Sequence, residues 1–253
     1  MLERINIDDI IDIAKRAGGV IMEIYAKDFS IEYKEDKSPL TEADRKANDV
    51  IVDGLENLSV RLPILSEEGK TIPYEERSGW EYFWMVDPLD GTKEFIKKND
   101  EFTVNIALIH KNSPVLGVVY APALGEMYWA KQGKGAYKDA QRLPLYCNEH
   151  PEQSLRIVAS KSHLSPETQE YIDALAQKTE SIECVSRGSS LKLCMVAEGS
   201  ADIYPRLAPT MEWDTAAADA IVRESGKTSC DYSCAQMLVY NKENLLNPWF
   251  IVS

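Results

Sequence analysis

Apolar positions in the first thirty residues recur at mixed three- and four-residue steps. Ile7, Ile10, Ile11, Ala14, Ala17, Ile21 and Ile24 form one stripe, which predicts an amphipathic helix over 5–26. A second helix is expected from Thr41, where TEADRKANDVIVDGL follows Pro39 and the Thr41 to Asp44 spacing suits a capping arrangement. The texture then changes to short β-rich runs: LPIL at 62–65, YFWMV at 82–86, TVNIALI at 103–109 and PVLGVVYAP at 114–122. The last two, joined by HKNS, read as an antiparallel hairpin that EMYWA at 126–130 extends.

Beyond Pro151 the runs alternate in type: RIVAS, PETQEYIDALAQK, SIECVS, SSLKLCMVAEG, ADIYPR and DTAAADAIVRESG read as strand, helix, strand, helix, strand, helix. The expected organisation is an α+β subdomain over 1–148 and a layered α/β subdomain over 149–253, sharing an interface in which a ligand could sit. The closing NPWFIVS is apolar but far too short to span a bilayer, so a buried last strand is expected.

One break in the pattern changes the picture. YFWMV runs into DPLDGT, and because Pro88 cannot donate to a ladder, the strand is expected to stop at Asp87 and to project Asp87 and Asp90 from its end. The Leu89 carbonyl could turn to the same point, Gly91 permits close backbone approach, and Thr92 opens a turn with free N–H groups. The plain alternative for the segment alone is an ordinary turn with an N-cap. The segment gains meaning from ILSEEG at 64–69, which offers Glu67 after another apolar run, and from Asp214 at the start of an alanine-rich helix. Carboxylates converging from several apolar runs suit a hard divalent cation working on a phosphate.

Charge and composition narrow the classes. A net charge of −13 opposes binding to a nucleic acid polymer, but not to a small anion beside bound cations. The acidic, interrupted start is unlike a signal peptide, so the cytoplasm is the expected location, and peripheral attachment to the inner membrane stays open. Five scattered cysteines make no zinc set, and three histidines lie in no nucleophile motif.

SEE, DPLDGT and WDTAA, in that order across the chain, resemble the inositol monophosphatase superfamily of Mg²⁺-dependent, lithium-sensitive phosphatases. DKSPLTEAD, MVDPLDGTKEF, SSLKLCMVAEG and ADIYPRLAPTMEWDTAA are closer to the bacterial 3′(2′),5′-bisphosphate nucleotidases of the CysQ type. The resemblance implies the αβαβα sandwich of the sugar phosphatase fold. It implies one Mg²⁺ on Glu67, Asp87 and the Leu89 carbonyl, and a second on Asp87, Asp90 and Asp214. Glu67 and Thr92, with Asp44 behind the threonine, would activate the attacking water, and Gly91 and Thr92 would receive the scissile phosphate.

On the substrate side the resemblance implies Ser160 and His163 near the nucleotide and Lys192 at its second phosphate, which the nearby hydroxyls of Ser189 and Ser190 would help to balance. An exposed loop histidine and a solvated helix lysine are the plain alternatives for His163 and Lys192. The implied substrate is adenosine 3′,5′-bisphosphate, cleaved to AMP and phosphate in sulfate assimilation and nucleotide recycling, with 3′-phosphoadenylyl sulfate as a second substrate. An inositol-1-phosphatase or broad sugar phosphatase shares the same metal core, and a non-catalytic nucleotide or metal sensor is the alternative of another class. A monomer or a homodimer is expected.

Overall fold

A computed structural model describes residues 1–27, 31–33, 39–159 and 165–253. The chain runs through α1 (Ile7–Tyr25), β1 (Ile31–Tyr33), β2 (Pro39–Thr41), α2 (Glu42–Glu56), β3 (Ile64–Ser66), α3 (Tyr74–Arg77), β4 (Tyr82–Asp90) and α4 (Thr92–Ile96). The meander β5 (Thr103–His110), β6 (Ser113–Ala121), β7 (Glu126–Lys131), β8 (Gly135–Lys138) and β9 (Gln141–Arg142) follows. Then come β10 (Ser154–Val158), α5 (Pro166–Ala176), β11 (Ser181–Val185), α6 (Leu191–Glu198), β12 (Tyr204–Arg206), α7 (Glu212–Glu224), β13 (Ser229–Asp231) and β14 (Phe250–Val252).

Strands β3 to β9 form one seven-stranded sheet in sequence order, antiparallel except for the parallel pair β3–β4. Alternation along each strand splits the side chains between two cores. Trp84, Ile106, Leu108 and Val118 face the apolar stripes of α1 and α2, where Ile10, Ile13, Ile21 and Ile51 are buried. Phe83, Met85, Ala107 and Val119 face α6 and α7 through Leu193, Val196, Ala217 and Ile221. Behind these helices lies a second strand layer: the parallel pair β10–β11 and the set β12-β14-β13, bridged where Ile157 meets Ile203. Helix α5 covers its outer side, with Ile172 packed against Ile157 and Ile203. The order helix, sheet, helix, sheet, helix is the expected αβαβα sandwich, and the buried last strand is β14.

Asp214 is brought to the sheet by the close seating of α7. A Cβ at Gly117 of β6 would lie 2.1 Å from the carbonyl oxygen of Ala217, so helix and strand touch backbone to backbone. Gly117→Ala is therefore expected to lower stability by about 2 kcal/mol or more through overpacking. Urea unfolding measures this, and an unchanged midpoint would contradict the packing.

Candidate active site

The strand β4 does not stop at Asp87. Its ladder with β5 pairs Asp87 with Asn105, skips Pro88 and Leu89, and resumes with Asp90 opposite Thr103. Proline takes no ladder bond, but the chain bulges past it and pairs again. Asp87 accepts the Leu89 N–H at 3.1 Å inside that bulge. Gly91, at φ 91°, turns the chain out of the strand, and Thr92 begins the short helix α4.

Three elements deliver carboxylates to one point. Glu67 follows β3, Asp87 lies in β4, and Asp214 lies in the first turn of α7; one oxygen from each falls within 4.8 Å of the others. Asp90, the first residue after the bulge, accepts the Ser190 N–H at 2.6 Å and lines the same pocket. These are hard oxygen donors, suited to a hard divalent cation. Asp87 is only 2% exposed, and burial followed by the charges of Glu67, Asp90 and Asp214 pushes its carboxyl well up. Burial and the Asp90 charge push Asp214 up to about 8, against the Met211 N–H and Arg206, which pull it down. Asp90 is pushed up to about 6, mainly by burial, with the Lys192 charge and the Ser190 N–H opposing. A cluster strained in this way fits a cation, because a bound cation would remove the repulsion that raises these values.

A stability consequence follows. Raised carboxyl values mean that, between pH about 4 and 8, the folded state holds protons the unfolded chain has released, so stability falls as pH rises through that window. In chelator the melting temperature at pH 8.5 is expected to lie about 5 °C or more below that at pH 6. Added Mg²⁺ should close the gap. Equal melting temperatures in chelator would show that the cluster is not strained.

Asp44 sits behind the cluster and is 2% exposed. Its Oδ2 accepts the Thr41 N–H at 2.7 Å and the Thr41 hydroxyl at 2.6 Å, closing the capping box of α2. Its Oδ1 accepts the Thr92 hydroxyl at 3.2 Å, while the Leu89 carbonyl lies 3.4 Å from the same hydroxyl. Burial raises the Asp44 carboxyl, and the bonds from Thr41 and Thr92 hold it back.

Glu67, Asp87, Leu89, Asp90, Gly91, Thr92, Ser189, Lys192 and Asp214 thus line one pocket of about 910 Å³, with Asp44 buried behind Thr92. The Ser190 hydroxyl is committed elsewhere, donating to Asn105 Oδ1 at 2.9 Å within a buried network that includes Thr103. Ser160 and His163 lie outside the described residues. Sequence reasoning missed Glu101, Arg187 and Arg206, which line the same wall. Arg206 could have been suspected from its place at the end of the ADIYPR run; Glu101 and Arg187 carry no such signal.

The profile of the inositol monophosphatase family matches residues 5–249. The chain belongs to the inositol monophosphatase family. It is 44% identical over 249 residues to the 3′(2′),5′-bisphosphate nucleotidase CysQ of Salmonella typhimurium, covering 98% of this chain and 99% of that one. The Haemophilus influenzae protein of the same name is 37% identical, with 97% and 91% covered. Among solved structures, CysQ of Bacteroides thetaiotaomicron, a bacterial member of the family, matches with a TM-score of 0.87 and 49% identity, covering 97% of this chain and 95% of that one. Among the described residues, no helix is long and apolar enough to cross a membrane.

Proposed function

We propose that this chain is a Mg²⁺-dependent 3′(2′),5′-bisphosphate nucleotidase, hydrolysing the 3′-phosphate of adenosine 3′,5′-bisphosphate to AMP and phosphate and accepting 3′-phosphoadenylyl sulfate as well. The observation that carries it is the convergence of Glu67, Asp87 and Asp214 within 4.8 Å, in a chain similar over nearly its whole length to CysQ nucleotidases. Glu67, Asp87 and the Leu89 carbonyl would hold one Mg²⁺, and Asp87, Asp90 and Asp214 a second. When bound, such ions lower the pKa of water and offset charge on the oxygens of an in-line displacement at phosphorus.

The chain's own groups do the rest. The Thr92 hydroxyl spends its proton on Asp44, so its oxygen is left as an acceptor that can orient an attacking water. Glu67 stands as the second acceptor. Asp44, fixed by three hydrogen bonds and kept from solvent, is a positioning residue for Thr92. The backbone N–H groups of Gly91 and Thr92, at the start of α4, receive oxygens of the transferred phosphoryl group. Lys192 and the Ser189 hydroxyl, which line the same pocket, take the second phosphate as charge-assisted partners. Ser160 and His163 are assigned to the nucleotide. The work belongs in the cytoplasm, by a monomer or homodimer.

Phosphate release should be followed with adenosine 3′,5′-bisphosphate, 3′-phosphoadenylyl sulfate and inositol 1-phosphate, with and without Mg²⁺ and with added lithium. The bisphosphate is expected to be turned over fastest, only with Mg²⁺, and less with lithium present. Faster release from inositol 1-phosphate would overturn the substrate assignment, and nucleotide binding without release would point to a sensor.

A further inference from the structure

The pocket is lined by an ion pair that the reaction chemistry does not use. Glu101 lies in the segment between α4 and β5, Arg187 in the segment after β11, and both line the pocket. Arg187 Nη1 stands 3.9 Å from Glu101 Oε1, with the two side chains 35% and 29% exposed. That separation is beyond hydrogen-bond length, so Glu101 holds the guanidinium by charge alone, and among the described residues no hydrogen bond occupies its fork of donors.

The juxtaposition is built into the backbone. A Cβ at Gly188 would lie 2.5 Å from the Glu101 carbonyl oxygen and 2.8 Å from the Glu101 Cβ, so only glycine lets the two segments close to this distance. The backbone of Arg187 is also tied inward, its carbonyl accepting from Lys192 Nζ at 3.4 Å. A loosely paired guanidinium is therefore carried by the residue whose backbone Lys192 holds, facing a carboxylate that repels incoming anions.

We propose that Arg187 and Glu101 form a charge clasp that selects substrates carrying a second phosphate; this rests on the nucleotidase reading above. A phosphate dianion outcompetes a lone carboxylate at 3.9 Å because it can take two parallel N–H bonds from the guanidinium fork. The non-reacting phosphate thus draws Arg187 off Glu101. A monophosphate, whose one phosphate occupies the carboxylate cluster, leaves the clasp closed. Arg187 attracts the second phosphate and Glu101 opposes it, so substitutions at the two positions act in opposite directions.

The test compares kcat/KM for adenosine 3′,5′-bisphosphate with kcat/KM for adenosine 3′-monophosphate in the wild type, Arg187→Gln and Glu101→Gln. The bisphosphate to monophosphate ratio is expected to fall about tenfold in Arg187→Gln, the scale of one charge-assisted hydrogen bond, and to rise in Glu101→Gln. Arg187→Lys, which keeps the charge and loses the fork, should fall between the wild type and Arg187→Gln. A ratio unmoved by Arg187→Gln, or moved the same way by both glutamine variants, overturns the clasp while the nucleotidase reading stands. A wild type that releases phosphate from neither compound overturns that reading and the clasp with it.

Discussion

Asp87→Asn is expected to lower Mg²⁺-dependent phosphate release by about three orders of magnitude and, in the same sample freed of cation, to raise the melting temperature. The two effects share one cause. Asp87 is the most buried acid of the cluster, held against Glu67, Asp90 and Asp214 with the least water to screen it. In the assignment above it is also the one carboxylate shared by both cations. An amide of the same shape keeps an acceptor oxygen for the Leu89 N–H, so the bulge should persist. It removes the charge that would hold the cation and that strains the empty cluster. Turnover near that of the wild type would sink the two-cation assignment. A lower melting temperature in chelator would instead mean that Asp87 stabilises the bulge more than its charge strains it.

Thr92→Val should lower kcat by about a hundredfold while KM changes little, the range found when a group that positions or accepts a transferred proton is removed. Valine fills the same space at the start of α4, so the loss would be chemical. It also leaves the Asp44 Oδ1 without its donor, while the two bonds from Thr41 to Oδ2 keep the start of α2 intact. Melting temperature and far-ultraviolet circular dichroism should therefore stay close to the wild type. If KM rises tenfold and kcat does not fall, Thr92 binds phosphate without preparing the water, and the role given to Asp44 falls with it.

Much of this was legible from periodicity and caps. The isoleucine stripe gave α1, and the Thr41 to Asp44 spacing gave the capping box of α2, because both signals are local and their physics acts within two turns. The antiparallel hairpin of β5 and β6 was likewise visible in its own composition. The continuation of β4 past Pro88 was not, since a bulge depends on what the neighbouring strand offers, here Thr103 opposite Asp90. The short helix α3 and the strand β13 carry too few periodic residues to stand out; they are held by partners far along the chain, Arg77 by the carbonyls of Lys242 and Glu243, and β13 by β14. At the site, Glu67 and Asp87 announced themselves by following apolar runs, and Asp214 by opening an alanine-rich helix. Glu101 and Arg187, 86 positions apart in the numbering, meet only because Gly188 lets two loops approach, and no spacing rule reports that.

Asp44 and Asp214 repeat one device. Each is the third residue of its helix and reaches back to the N–H before it, Asp44 to Thr41 at 2.7 Å and Asp214 to Met211 at 2.8 Å. Each of those two amides is thus wired to the site through one carboxylate of its own. In a ¹⁵N-labelled sample, the Met211 resonance should shift as Mg²⁺ is titrated in, and the Thr41 resonance should move when phosphate follows. The two helix starts would then report, separately and without turnover, which half of the centre is filled.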